Sequence, residues 1–419
     1  MDRRTFLKFS AAAPAVATLA SPLELIASPF SSIFASDEDK WKAIRDQFPI
    51  TKNIIFLNNG TMGPSPLSVT KAVQERIAYV DSTADYGYDR KDLYESLGRI
   101  VNADASDIAL THNVSEGISI VASGLRMMPG DEVILTNQEH GGGAVPWLGR
   151  AKRHGIVVKF VELDPDYVVV MQRFQAAFTK RTKIIAIPHI TCTTGQVLPV
   201  KKLATMAHGY GAYCFVDGAH GPGMLKVDVK DLECDAYASC GHKWLLGPKG
   251  TGFLYISKEF REQVAPAWAG AESDKHWDYQ GHLDWEESAG RYDFATQSSS
   301  LYFGLIEAIK WQEKIGIAAI EARVLELSKY LREGLATLPK DKFSLLTPPT
   351  SLSGLTTIKL ANSKRYVEVA QAMEKSHKIR TRIVPEGNLE ANRFSTHIYN
   401  SKKDIDTLIT ALGHAITTA

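Results

Sequence analysis

Lys243 lies in "ASCGHKWLLGPKG", residues 238–250, with small residues before it and glycines and a proline after it. A lysine held in such a bend, away from an open surface, is an amine able to condense with an aldehyde. Four more polar clusters recur upstream, each directly after an apolar run. They are "THNVSEG" after "DIAL", "NQEHGGG" after "EVILT", "PHITCTTG" after "KIIAI" and "DGAH" after "YCFV". One such cluster is ordinary loop chemistry, but five at successive strand ends point to a single pocket, because open α/β sheets bind ligands at the carboxyl ends of their strands.

The residue types narrow the ligand. Lys243 supplies an amine, and Asp217 ends an apolar strand as a carboxylate able to hold a ring nitrogen protonated. His140 is placed to stack on a ring. Ser115, Glu116 and Gly117 open a predicted helix whose N–H groups suit a phosphate, with His242 nearby. A pyridine carrying an aldehyde and a phosphate, that is pyridoxal 5′-phosphate, needs this set. Each assignment has a plainer alternative: Asp217 capping a helix, His140 packed as an ordinary histidine and loosely placed by the glycines after it, Lys243 as one solvated lysine.

The elements that must position these residues are legible as apolar periodicity. Strand-like runs appear at "NIIFLN", "DIALTH", "DEVILTN", "IVVKFVEL", "TKIIAIPHI", "AYCFVDGAH", "DAYAS" and "GFLYIS". Helical stretches such as "PLSVTKAVQERIAYV" and "KKLATMAHGYG" separate most of them. This alternation predicts an α/β fold with a mostly parallel sheet. After "RYDFATQSSS" a long helical region, short strands and the helix "KKDIDTLITALGHAI" predict a smaller C-terminal α+β domain. The expected division is 1–36 as leader and linker, 37–298 as the large domain and 299–419 as the small one. The Trp-, His- and acid-rich stretch 272–288 either covers the pocket and sets substrate choice, or is a surface loop with buried aromatics.

A net charge of +1 gives no electrostatic basis for nucleic acid or an anionic membrane as partner. No metal-ligand spacing stands out, and the pair His276 and His282 is weak by itself. "DRRTFLKF" with Arg3 and Arg4, followed by "AAAPAVATLASPLELIA", looks like a twin-arginine export signal. It predicts a periplasmic or otherwise exported protein that meets the twin-arginine translocon, with cleavage after Ala20 or nearer Ala35. Cys192, Cys214, Cys234 and Cys240 cluster centrally and read as small buried residues, with a Cys234–Cys240 bridge as the open alternative.

From about Asn53 onward the chain resembles the class V aminotransferase family, fold type I enzymes that depend on pyridoxal 5′-phosphate. The resemblance is carried by Glu139-His140 ahead of Val145-Pro146-Trp147, by "VDGAH", by "GHKWLLGPKG" and by "RFSTHIYNSKKDID". It implies that His220 lies near the ring hydroxyl and that Arg393 grips a substrate carboxylate. Arg380 is a further substrate-binding candidate; either it or Arg382 touches substrate, or both are solvated. Thr296 is implied to reach the phosphate of a neighbouring subunit, hence a homodimer, although Ala295 stands where the family usually has glycine.

Two departures bear on the reaction. Cys192 stands where cysteine desulfurases carry asparagine, and the loop "TRIVPEGNLEAN" holds no cysteine. Desulfurases need a mobile thiolate there. The pattern, with "HKW" and "FLNNGTMGPSP", is closer to the isopenicillin N epimerase-like branch, one exported member of which acts in siderophore maturation. The expected function is an epimerase or aminotransferase acting at the amino-bearing carbon of a small amino acid or peptide-like substrate. The alternatives are a β/γ-lyase without a sulfur carrier, and a cofactor-binding protein without turnover.

Overall fold

The computed structural model describes residues 36–417 apart from Tyr86, Tyr88 and Asp89, so the twin-arginine segment lies outside the described residues. Among the described residues, fifteen strands run in chain order. β1 is Ile55–Phe56. The seven of the large sheet are β2 Ile108–Thr111, β3 Glu132–Thr136, β4 Val157–Val161, β5 Thr182–Pro188, β6 Tyr213–Asp217, β7 Ala236–Cys240 and β8 Gly252–Ile256. Their spatial order is β2-β8-β7-β6-β5-β3-β4. The pairings are parallel except those of β8, which runs antiparallel to β2 and β7. The central strands read as continuous apolar runs because helices cover both faces of the sheet. One core cluster gathers Leu97, Ile185, Val216 and Phe253, and another gathers Val121, Leu135, Phe215 and Leu254.

β9 Asp274–Trp277 and β10 Leu283–Trp285 form a hairpin. β11 Phe343–Leu345, β12 Leu355–Leu360, β14 Arg382–Val384 and β15 Ala391–Ser395 form an antiparallel sheet in the order β11-β12-β15-β14. β13 Ile379–Arg380 pairs in parallel with β1. The first strand-like run of the sequence therefore does not join the large sheet. The helix Asp37–Arg45 goes with it: Glu38 is ion-paired to the buried Arg323 over 2.7 Å, and Arg45 is ion-paired to Asp404. The segment 37–56 thus makes its ion pairs and strand pairing with the C-terminal part, while Trp41, Ile44 and Phe48 share one core cluster with Met224, Trp244 and Leu246 as well as with Trp311 and Tyr399. The long helical region is two helices, Ser299–Ile315 and Ile317–Leu335, separated at Gly316, whose φ of 96 ends the first helix.

Candidate active site

A pocket of about 170 Å³ opens where β5, β6 and β7 end and the helices Val114–Gly124 and Gly141–His154 begin. Lys243, Asp217, His140, His220, Ser115 and His242 all line it. Lys243 follows β7 by three residues. Its Nζ lies 3.4 Å from His220 Nε2. On the other side of that ring, Trp244 Nε1 donates to His220 Nδ1 over 3.0 Å. An indole nitrogen can only donate, so Nδ1 accepts and the neutral ring carries its proton on Nε2, toward Lys243. Burial, and then the Lys243 charge, hold His220 well below the usual histidine range and keep the ring neutral.

His140 caps the helix Gly141–His154, its Nδ1 accepting from Gly142 N–H over 3.0 Å. The glycines after it form the first turn of that helix, so they fix the ring where the sequence reading had them place it loosely. Two of them sit in close approach: a Cβ on Gly142 would lie 2.2 Å from Ser115 Oγ, and one on Gly143 would lie 2.8 Å from Glu139 Oε2, whereas Gly141 faces open space. Burial and Lys243 push the His140 pKa down. Glu139, beneath it, accepts from Thr136 N–H and Oγ1–H, and burial raises its pKa to about 8. Asp217 accepts from Ala219 N–H over 2.9 Å and is raised by burial. Among the described residues no lysine or arginine forms an ion pair with it.

The helix Val114–Gly124 presents Ser115 to the pocket. The other two N–H groups expected there are taken: Asn113 Oδ1 accepts from Glu116 N–H over 3.0 Å, and Gly117 N–H bonds Asn113 O over 3.4 Å. The Glu116 carboxylate turns back to His112, accepting from its N–H over 2.6 Å. Glu116 is therefore a helix-capping residue and not a phosphate ligand, a correction that follows from the Asn113 N-cap. His242 lines the pocket beside Ser115, with its pKa lowered by burial to about 4.

Arg393 is fully buried behind the pocket. It donates to Cys192 O over 2.5 Å and approaches Asn58 Oδ1 and Thr61 Oγ1 at 3.4 and 3.3 Å, while its Nε has no partner among the described residues. Among the described residues no carboxylate forms an ion pair with it, and burial lowers its pKa to about 9. Arg380 is corrected: it is exposed and held on the surface by Glu374 at 2.9 Å, whereas Arg382 lines the pocket. Thr296 is exposed and does not line the pocket of this chain. Ala295 keeps the left-handed φ of 62 that a glycine would adopt without strain. The hairpin β9–β10 also stands away from the pocket, with Trp277 and Tyr279 exposed and not buried.

All four cysteines are free and buried, so the Cys234–Cys240 bridge is absent. Burial raises every one of these thiols above its ordinary range. Sequence reasoning missed Trp244, which looks like any core tryptophan, and Glu386, which partners Arg382 from a loop read only for its lack of cysteine.

Pyridoxal 5′-phosphate fits this donor set. Asp217 is a buried carboxylate without an ion-paired lysine or arginine among the described residues, and a protonated ring nitrogen would satisfy it. The glycines beside Ser115 leave no side chain where the two helix starts meet.

Comparison with known proteins agrees. The chain is 28% identical over 397 residues to a probable cysteine desulfurase of Methanothermobacter thermautotrophicus, covering 90% of this chain and 97% of the relative. It is 29% identical over 395 residues to isopenicillin N epimerase of Streptomyces clavuligerus, covering 89% and 97%. The solved complex of the cystine C–S lyase C-DES with its product cysteine persulfide superposes with a TM-score of 0.81 at 26% identity, over 88% of this chain and 99% of that one. Residues 1–20 match the twin-arginine translocation signal, which directs export to the periplasm or beyond. Residues 89–408 match the aminotransferase class-V family, and with Lys243, Asp217 and His140 set around one pocket, the chain belongs to that family of pyridoxal 5′-phosphate-dependent enzymes.

Proposed function

We propose that this enzyme removes the proton from the amino-bearing carbon of an amino acid or peptide-like substrate outside the cytoplasm, as an epimerase or aminotransferase. A precursor of an exported peptide or siderophore suits that location. The observation that carries the reading is Arg393: a fully buried guanidinium without a carboxylate partner among the described residues, next to the pocket that holds Lys243. A buried unpaired cation is costly, and a substrate α-carboxylate is the partner that relieves it.

When bound, pyridoxal 5′-phosphate supplies an electron sink that acidifies the Cα–H of an attached amino acid. The rest falls to the chain. Asp217 would hold the ring nitrogen protonated, His140 would pack on the ring, and Ser115 and His242 would hold the phosphate. Lys243 Nζ would anchor the group and would serve as general base toward the Cα proton. His220, locked with its proton on Nε2, donates into the same corner.

The buried thiols, all shifted away from thiolate, and the lack of any cysteine in residues 381–392 argue against persulfide transfer. The likeness to a cystine C–S lyase favours a second reading, β-elimination, which needs no thiol on that loop. We further propose a homodimer, in which the exposed Thr296 and the exposed aromatics Trp268, Trp277 and Tyr279 face a second copy. Proton NMR of amino acids incubated with the holoenzyme in deuterium oxide tests the reaction. Loss of the Cα–H signal with inverted stereochemistry or a keto acid supports the first reading, pyruvate with a released leaving group supports the second, and an intact Cα–H throughout overturns both.

A further inference from the structure

Arg382 and Arg393 are direct register partners on the antiparallel strands β14 and β15. Like charges placed opposite one another destabilise a sheet, so this pairing needs a compensating cause. Part of it is the carbonyl of Cys192, which accepts from Arg382 Nη1 over 3.1 Å and from Arg393 Nη1 over 2.5 Å. The other part is Glu386, whose Oε1 is ion-paired to Arg382 Nη2. Its second oxygen, Oε2, is buried without a hydrogen-bond partner among the described residues.

The chain is bent to bring that carboxylate here. Gly387, Asn388 and Glu390 all have left-handed φ, of 59, 56 and 48. A Cβ on Gly387 would lie 3.8 Å from Asn137 O, at the end of β3 that leads to His140. The charge on Glu386 is felt at His140, Cys192 and Arg393, so it belongs electrically to the pocket.

Two guanidiniums and one carboxylate leave a single positive charge for an incoming anion. We propose that Glu386 is a specificity-determining residue. By neutralising Arg382, which lines the pocket, it limits this corner to one substrate carboxylate, the α-carboxylate. The site then selects amino acids with neutral or cationic side chains and rejects acidic ones, because a side-chain carboxylate meets an arginine that Glu386 has already neutralised. The inference rests on the amino-acid reading given above.

Equilibrium titration of the holoenzyme with L-glutamine and L-glutamate, followed through the absorbance of the bound cofactor, tests it. The pair differs by one charge at nearly constant shape. The wild-type protein should bind L-glutamine at least tenfold more tightly than L-glutamate. Glu386→Gln, or Glu386→Ala where the first variant loads cofactor poorly, should shrink that ratio at least tenfold, while Glu386→Asp should keep it within about threefold. Equal binding of the two ligands by the wild type, or an unchanged ratio in the neutral variants, overturns the role of Glu386 alone. Failure of every amino acid tried to perturb the cofactor in the wild type overturns the amino-acid reading, and this proposal falls with it.

Discussion

Trp244 Nε1 donates to His220 Nδ1 over 3.0 Å, and this one bond decides where the imidazole proton points. The adjacent residue Lys243 then faces a donor, Nε2–H, at 3.4 Å. The tryptophan that follows the lysine in "GHKW" therefore sets the hydrogen-bond character of the site one step removed from the reacting atoms.

Trp244→Phe should leave the buried Nδ1 without a donor, at a cost of about 1–3 kcal/mol in stability. Nitrogen-15 NMR of His220 in the cofactor-free protein should show one tautomer, protonated on Nε2, in the wild type and a mixture in the variant. A wild-type ring protonated on Nδ1 would contradict the assignment.

Glu139 gives a pH dependence with a defined sign. Its folded pKa is raised to about 8 by burial, against an ordinary value of 4.5, so above pH 5 the native state keeps a proton that the unfolded chain has released. This contribution is fully present below about pH 4.5 and is lost as pH rises through 8, at about 1.4 kcal/mol per pH unit in between. Denaturant unfolding of the cofactor-free protein between pH 5.5 and 7.5 should show Glu139→Gln gaining on the wild type by that slope. Parallel pH profiles for the two proteins would count against a protonated Glu139.

Gly142→Ala would place a Cβ 2.2 Å from Ser115 Oγ. Ser115 must move, and cofactor affinity should fall at least tenfold while the circular dichroism of the folded protein is kept. Equilibrium dialysis of pyridoxal 5′-phosphate reads the loss; unchanged affinity would remove Ser115 from the phosphate site.

Changing Arg3 and Arg4 together to lysine should trap a folded, cofactor-loaded protein in the cytoplasm, as the match of residues 1–20 to the export signal requires. Cell fractionation decides it, and unimpaired export of the variant would mean that another route carries the chain.

The sequence made some of this site legible and hid the rest for physical reasons. Lys243, Asp217, His140 and His220 follow apolar strands directly, and parallel strands buried on both faces bring their carboxyl ends to one edge. β8 could not be told from its parallel neighbours, because a short apolar run reads the same in either direction. Glu116 was misassigned because the side chain that satisfies its N–H, Asn113, looks like any other loop residue. The choice between Arg380 and Arg382 depends on which strand each joins: β13 pairs with β1, and β14 pairs with β15. Glu386 became visible only through the register that sets Arg382 opposite Arg393.

In the reaction proposed here, buried Arg393 holds the α-carboxylate while Lys243 works on the neighbouring Cα–H. Its most direct test is the rate of Cα–H exchange in deuterium oxide for an accepted amino acid and for its α-carboxamide, in the wild type, Arg393→Lys and Arg393→Ala. Truncating one side of a desolvated charge pair costs about 2–5 kcal/mol, so exchange of the acid should fall roughly a thousandfold in Arg393→Ala, with partial recovery in Arg393→Lys. The carboxamide should be slow in all three, and the absorbance of the resting holoenzyme should be unchanged. Equal exchange of acid and amide by the wild type, or an Arg393→Ala variant that still prefers the acid, would contradict the account.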